Sequence, residues 1–294
     1  MRVLASVFLT AVTVIMPPSG ARAQAPSELR TCMDNAASLA QRAAACSSVI
    51  INAPPAEPKE LARIHFSRGN AYLNLGVYDR ALADFDAATR ANPTAPGPFN
   101  SRGVAFMRQK QLDRAITEFD SAIRLNPNDP IALSNRGDVY REKGRVDRAL
   151  QDYDTAIVAN PKWVNAYFGR AAALQQKAVS DFDAFVNEGR FEELAIAEYG
   201  KVLQLAPRSA GALSNRGQLH HTLRKYDLAI ADYTQAIAIA PANPIFLRNR
   251  ALTYRMIRQY DRAIADYRSA LALTQDAEGR KLIEELLAQL GATV

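Results

Sequence analysis

Few residues of this chain have chemistry to offer, and most of those recur at fixed intervals. There are three histidines, His65, His220 and His221, and two cysteines, Cys32 and Cys46. Neighbours on a helix point about 100° apart, so His220 and His221 cannot easily close on one metal ion. His65 stands where later copies of the surrounding pattern place Phe, Leu or Tyr, which marks it as a packing residue. The sequence holds no H-E-x-x-H, no G-x-S-x-G, no phosphate-binding glycine loop and no C-x-x-C. Its acids recur with the pattern rather than converging as a pair. No catalytic cluster, cofactor site or metal site is read from it, and the expectation is a non-enzymatic protein.

The most regular chemistry is ionic. Arginine recurs at Arg68, Arg102, Arg136, Arg170, Arg216 and Arg250, and an acid precedes an aromatic residue at Asp84, Glu118, Asp152, Glu198, Asp232 and Asp266. An uncovered arginine stripe would suit an anionic ligand. The matched acid in every copy points instead to ion pairs between helices, each contributing ~0–1 kcal/mol where exposed. The cysteines lie together ahead of the first clear copy. An exported chain with only these two most simply joins Cys32 to Cys46, and closing so short a loop contributes about 3 kcal/mol in the chain-entropy account. The alternatives are two buried thiols or a redox pair, although the spacing is not that of a redox motif.

A repeat positions these residues. Pro93, Pro127 and Pro161 stand 34 residues apart, as do Pro207 and Pro241. Ahead of each comes Ala-x3-aromatic, as in Ala81/Phe85, Ala149/Tyr153 and Ala229/Tyr233, and earlier still a small residue such as Gly69, Gly137 or Gly217. Apolar positions follow the helical period. The first unit reads as helix A over Leu61–Leu75, a turn with Asp79 as N-cap, and helix B over Arg80–Ala91, stopped by Asn92-Pro93. Units of this length cannot bury their apolar faces alone and stack into an all-α solenoid of helix-turn-helix repeats.

The order G-x2-Y, A-x3-F and P resembles the tetratricopeptide repeat family. It stands in Gly103, Phe106, Ala115, Phe119, Ala122 and Pro127, and again in Gly137, Tyr140, Ala149, Tyr153, Ala156 and Pro161. The likeness covers residues 61–274 in six copies. The family's Trp near the start of helix A is replaced by His65, Phe99, Leu133, Tyr167, Leu213 and Leu247, and Gln275 stands where the sixth closing proline is expected. The resemblance implies a right-handed superhelix whose concave groove, lined by helix A, takes extended peptides. Carried onto this sequence, the groove is lined by Phe66, Asn70, Asn100, Asn135, Asp138, Arg141, Asn215, Gln218, Arg248 and Asn249. Amide side chains both donate and accept, so such a lining suits a peptide backbone better than a strongly acidic or wholly apolar ligand. The carboxylate clamp of a related chaperone-docking class is not carried over, because Phe66 stands where its Lys is expected.

The two ends and one irregularity complete the reading. Arg2, the apolar run Val3 to Met16, the break at Pro17-Pro18 and Ala21-Arg22-Ala23 read as a signal peptide over residues 1–23, cleaved before Gln24, with an uncleaved anchor as the alternative. The mature protein is then periplasmic or secreted, with no membrane span. Residues 24–60 read as two short helices, 27–37 and 39–51. The net charge of +6 falls by two on cleavage and does not argue for nucleic acid. Between Pro161 and Pro207 the fourth copy carries 12 extra residues near 178–189. Their Phe182, Phe185 and Val186 either fold back onto the array or form a partner site on its rim. Residues 275–294 hold an amphipathic helix with Leu282, Ile283, Leu286, Leu287 and Leu290 on one face, read as a cap. The leading expectation is an exported scaffold that binds a protein or peptide. The alternative is a structural or accessory subunit of an envelope assembly, working through its outer or rim surface.

Overall fold

The computed structural model describes residues 27–52, 54–55, 57–180 and 189–292. Residues 1–23, read above as a signal peptide, and Phe182, Phe185 and Val186 of the insertion lie outside them. Among the described residues every regular element is a helix, and the chain divides into two compact units, Met1–Leu125 and Asn126–Val294. The first holds α1 (27–33), α2 (Leu39–Asn52), α3 (Pro58–Asn74), α4 (Tyr78–Ala91), α5 (Pro96–Arg108) and α6 (Leu112–Leu125). The second holds α7 (Pro130–Glu142), α8 (Val146–Ala159), α9 (Val164–Ser180), α10 (Arg190–Leu205), α11 (Ala210–Thr222), α12 (Tyr226–Ile239), α13 (Pro244–Met256), α14 (Tyr260–Leu273) and α15 (Ala277–Gln289). Helices pack most closely as consecutive A–B pairs, α3 on α4 through α13 on α14, and each pair meets the next within its unit. In the second unit, helices A also touch each other, α7 on α9 and α11 on α13.

Small residues and rings make the pairs. Phe85, Phe119, Tyr153, Tyr199, Tyr233 and Tyr267 of the B helices are at most 2% exposed. Glycines of the A helices form their sockets: a methyl group at Gly103 would lie 2.6 Å from Phe119, and one at Gly137 would lie 2.8 Å from Tyr153. Neither ring has room to retreat in a close-packed interior. The A–B turn closes through one left-handed residue. It is Gly76 and Gly144 in two turns, but Lys110, Arg224 and Arg258 in three others, with φ of 60°, 59° and 60°.

Each of the six arginines meets the acid of its own helix B. Arg68, Arg136, Arg216 and Arg250 grip Asp84, Asp152, Asp232 and Asp266 through Nε and Nη2 at 2.6–2.9 Å. Where the acid is the longer Glu, the guanidinium is shared. Arg102 reaches Glu118 at 2.6 Å and also Asp86, while Arg170 takes Glu198 at 2.7 Å and Asp154 at 2.6 Å. Burial alone would push the Asp84 carboxyl up, but hydrogen bonds from His65 and Arg68 hold it below its ordinary value. The arginines are therefore internal fasteners rather than a cationic stripe. His65 differs from the expected packing residue, because its Nδ1 lies 2.8 Å from Asp84.

Three local readings are corrected. Asp79 does not cap α4. Gly76 reverses the chain one residue early, Val77 takes the cap position, and Asp79 sits in the first turn, where its charge meets the helix dipole. The helix α1 ends at residue 33, not 37, because Asp34 Oδ1 accepts the Ala36 N–H at 2.8 Å and turns the chain. In α15, Ile283 and Leu287 are buried, but Leu282 is 44% exposed at the edge of the packed face.

The structure joins Cys32 to Cys46, with Cα atoms 4.7 Å apart, so α1 is tied to α2. The bridge packs with Val49 against Ile64 of α3, and the Cys32 carbonyl accepts the Ser67 hydroxyl at 2.6 Å. Arg68 Nη1 donates to Ser47 of α2 at 3.0 Å. Asp86, Asp154 and Thr234, all on B helices, hold the same place for Arg102, Arg170 and Arg250. The α1–α2 hairpin therefore meets the first repeat as a preceding repeat would. Among the described residues no helix is long and apolar enough to cross a membrane.

Candidate functional site

The second unit opens a cavity of about 300 Å³ between the neighbouring A helices α7 and α9. Missing side chains make it. On α9, Gly169 stands where other copies carry Ser or Asn, and Ala172 lies one turn beyond. Any Cβ at Gly169 would strike the Tyr153 ring beneath it. On α7, Ser134 is small enough to leave the Trp163 indole room above it. The Trp163 Nε1–H donates to Ser134 Oγ at 3.0 Å, which fixes the ring. Phe168 forms another wall and is held edge-on against Tyr199, with centroids 5.4 Å apart.

The polar groups come from one helix face. Asn135, Asp138 and Arg141 of α7 all line the cavity. Asp138 Oδ1 accepts the Tyr153 hydroxyl at 2.7 Å, and Arg141 Nη2 stands 3.9 Å from the same oxygen. Burial pushes the Asp138 carboxyl above its ordinary range, outweighing the Tyr153 hydrogen bond and the Arg141 charge. Burial, and then the adjacent Asp138, also raise the Tyr153 phenol, which stays a donor across the accessible pH range. Arg141 Nε is buried without a hydrogen-bond partner. Donors and acceptors on firm aromatic walls can recognise a ligand.

The other expected lining residues do not join this group. In the first unit Phe66 is a packing residue, tilted on Phe85 at 6.1 Å and close against Gly97. Asn70 and Asn100 lie half-buried on α3 and α5. Asn215 donates to the Tyr199 hydroxyl at 3.1 Å, Gln218 is exposed, and the Asn249 carbonyl accepts from Thr253. Arg248 lines a separate cavity of about 240 Å³ with Thr274 and Ile283. His221 bonds Thr253 at 3.0 Å while His220 approaches Asp232 at 3.8 Å, so the two rings diverge. Burial lowers the pKa of both. Among the described residues no group of three or more His, Cys, Asp or Glu could hold a metal ion.

Trp163 and Phe168 are functional candidates that the repeat pattern did not supply. Their signals were present: Trp163 is the sole tryptophan, and Phe168-Gly169 interrupts the polar position filled by Ser or Asn elsewhere.

Models of the family described as Tetratricopeptide repeat match residues 66–130, 100–163 and 134–185, and a further one matches 210–243. None of the curated proteins matches the chain. Among solved structures, a thermophilic tetratricopeptide repeat protein of Thermus thermophilus is similar at 26% identity and a TM-score of 0.54, over 66% of this chain and all of that one. A tetratricopeptide repeat protein of Parabacteroides merdae aligns over 92% of this chain and 99% of its own, at 16% identity and a TM-score of 0.64. YrrB, described as having an unusual peptide-binding site, is similar over 68% of this chain and 97% of its own, at 16% identity and a TM-score of 0.52.

Proposed function

Since the chain belongs to the tetratricopeptide repeat family, we propose that it is a non-enzymatic scaffold that takes an extended segment of a protein partner along its helix A faces. The α7–α9 cavity is the principal subsite. The observation that carries this reading is the convergence of an amide, an acid and a guanidinium between fixed aromatic walls, on a scaffold whose six repeated arginines are held by internal ion pairs. The peptide-binding site described for YrrB lends support at the level of the fold. Export belongs to the same proposal: the order of charged, apolar and small residues over 1–23 and the Cys32–Cys46 bridge suit an oxidising compartment. N-terminal sequencing of the exported species should find Gln24 first.

A photo-cross-linker at exposed Asn165, beside the cavity, should capture the partner from an envelope extract, and one at exposed Arg148 on α8 should not. The reverse result would favour an assembly subunit working through its outer face. That second reading has its own observation: Val179, next to the insertion, is 87% exposed.

A further inference from the structure

We propose that the α7–α9 cavity selects a basic side chain of the bound peptide, lysine or arginine, with its cationic head on Asp138 Oδ2 and its aliphatic stem along Trp163 and Phe168. The inference rests on the peptide-binding reading above and adds which residue the peptide must bring. Both partners of Asp138 share one oxygen: the Tyr153 hydroxyl and the distant Arg141 guanidinium both address Oδ1. Oδ2 has no hydrogen-bond donor among the described residues, and the side chain is 44% exposed towards the opening. At 3.9 Å, Arg141 is beyond hydrogen-bond range and leaves the carboxylate only partly compensated. Burial raises its pKa, so its surroundings serve the anion poorly.

The walls complete the match. An indole is the best face for a passing cation, and this one is locked by its bond to Ser134. A lysine or arginine stem buries apolar length while its head stays polar. An acidic side chain would face Asp138 with like charge. An apolar one would leave Oδ2 unpaired. Position in the array adds a further argument. The residue after the socket position of helix A is Asn70, Val104, Asp138, Ala172, Gln218 and Leu252 in turn, so an acid occurs there once. One such subsite sets the register of a peptide that the neighbouring amides would accept in several.

The test uses a random peptide library panned on the full mature protein. The tightest peptide and its Lys→norleucine analogue are then titrated against wild type and Asp138→Asn, following the emission of Trp163, the sole tryptophan. Asn keeps an oxygen for Tyr153, and if Asp138→Asn fails to melt cooperatively, Asp138→Ser replaces it. A charge-assisted bond predicts a ~10–100-fold loss on norleucine replacement in wild type, and little difference between the two peptides in the variant. Selected peptides without a preferred basic residue, an equal loss in both proteins, or binding that leaves Trp163 emission unmoved would each overturn the inference while peptide binding stands. Failure to select any peptide would overturn both.

Discussion

In α7 and α11 the same four residues recur, Ser134-Asn135-Arg136-Gly137 and Ser214-Asn215-Arg216-Gly217, and each glycine receives a tyrosine ring from helix B. Each arginine grips an aspartate through the same two nitrogens. Beyond this shared frame the two regions part. Asp138 becomes Gln218, Arg141 becomes His221, and the facing helix exchanges Trp163, Phe168, Gly169 and Ala172 for Asn243, Arg248, Asn249 and Leu252. The tyrosines respond. Over Gly169 the Tyr153 hydroxyl has no side chain to meet and turns to Asp138, whereas one copy on, where Asn215 of α11 stands in the place of Gly169, the Tyr199 hydroxyl of α10 accepts from that amide. The residues that build the repeat and those that shape its surface are thus separable, and substitutions that respect the first set are free to rewrite the second.

The largest expected effect tests the shared half of this comparison. Arg136→Ala and Arg216→Ala should each cost about 3 kcal/mol in urea unfolding, because Asp152 and Asp232, with side chains 8% and 4% exposed, would lose their two-pronged arginine partner. Markedly unequal losses would mean that the regions differ beneath the surface as well. Next comes the exchange that should erase the cavity. Gly169→Asn forces a side chain against Tyr153 and should cost ~1–3 kcal/mol while shifting Trp163 emission. The reverse change, Asn249→Gly, should cost only ~0.5–1 kcal/mol, the ordinary penalty of glycine in a helix.

A smaller effect sharpens the comparison in the turns. Gly144 and Arg224 occupy the same left-handed place, with φ of 72° and 59°. Arg224→Gly should raise stability by up to ~1 kcal/mol, and thermal melts should show Gly144→Ala doing the opposite. The smallest effect lies at Asp138. Its folded pKa is raised, so its ionised form opposes folding; that opposition is complete above the folded pKa and absent below the unfolded value of about 3.9. Asp138→Asn should therefore stabilise the free protein near neutral pH, by under ~1 kcal/mol because solvent screens a carboxylate 44% exposed. The gain should vanish in melts below pH ~4.

What was legible in the sequence follows the same division. Sockets, rings and ion pairs recur in every copy, so six-fold repetition revealed them, down to which acid each arginine takes. The cavity is made by departures from the pattern, and departures carry no internal confirmation. Asn135, Asp138 and Arg141, expected on the groove through the family resemblance, all line the cavity. Trp163 and Phe168 were not expected there, since their contribution depends on what Ser134 and Gly169 leave vacant. Phe66 misled for the same reason: it sits at the position of Phe168, but Gly97 lets it pack inward.

The bond between Arg68 and Ser47 covers the leading face of the first repeat. A row of identical modules is an open polymer, with an adhesive face at either end. Here the leading face is spent on a module made of two short helices and a cross-link, which offers the first arginine the partner a true module would supply. Reduction of Cys32–Cys46 should therefore act as a defect at a chain end, fraying α1–α2 first and uncovering Ile64 as a sticky terminus.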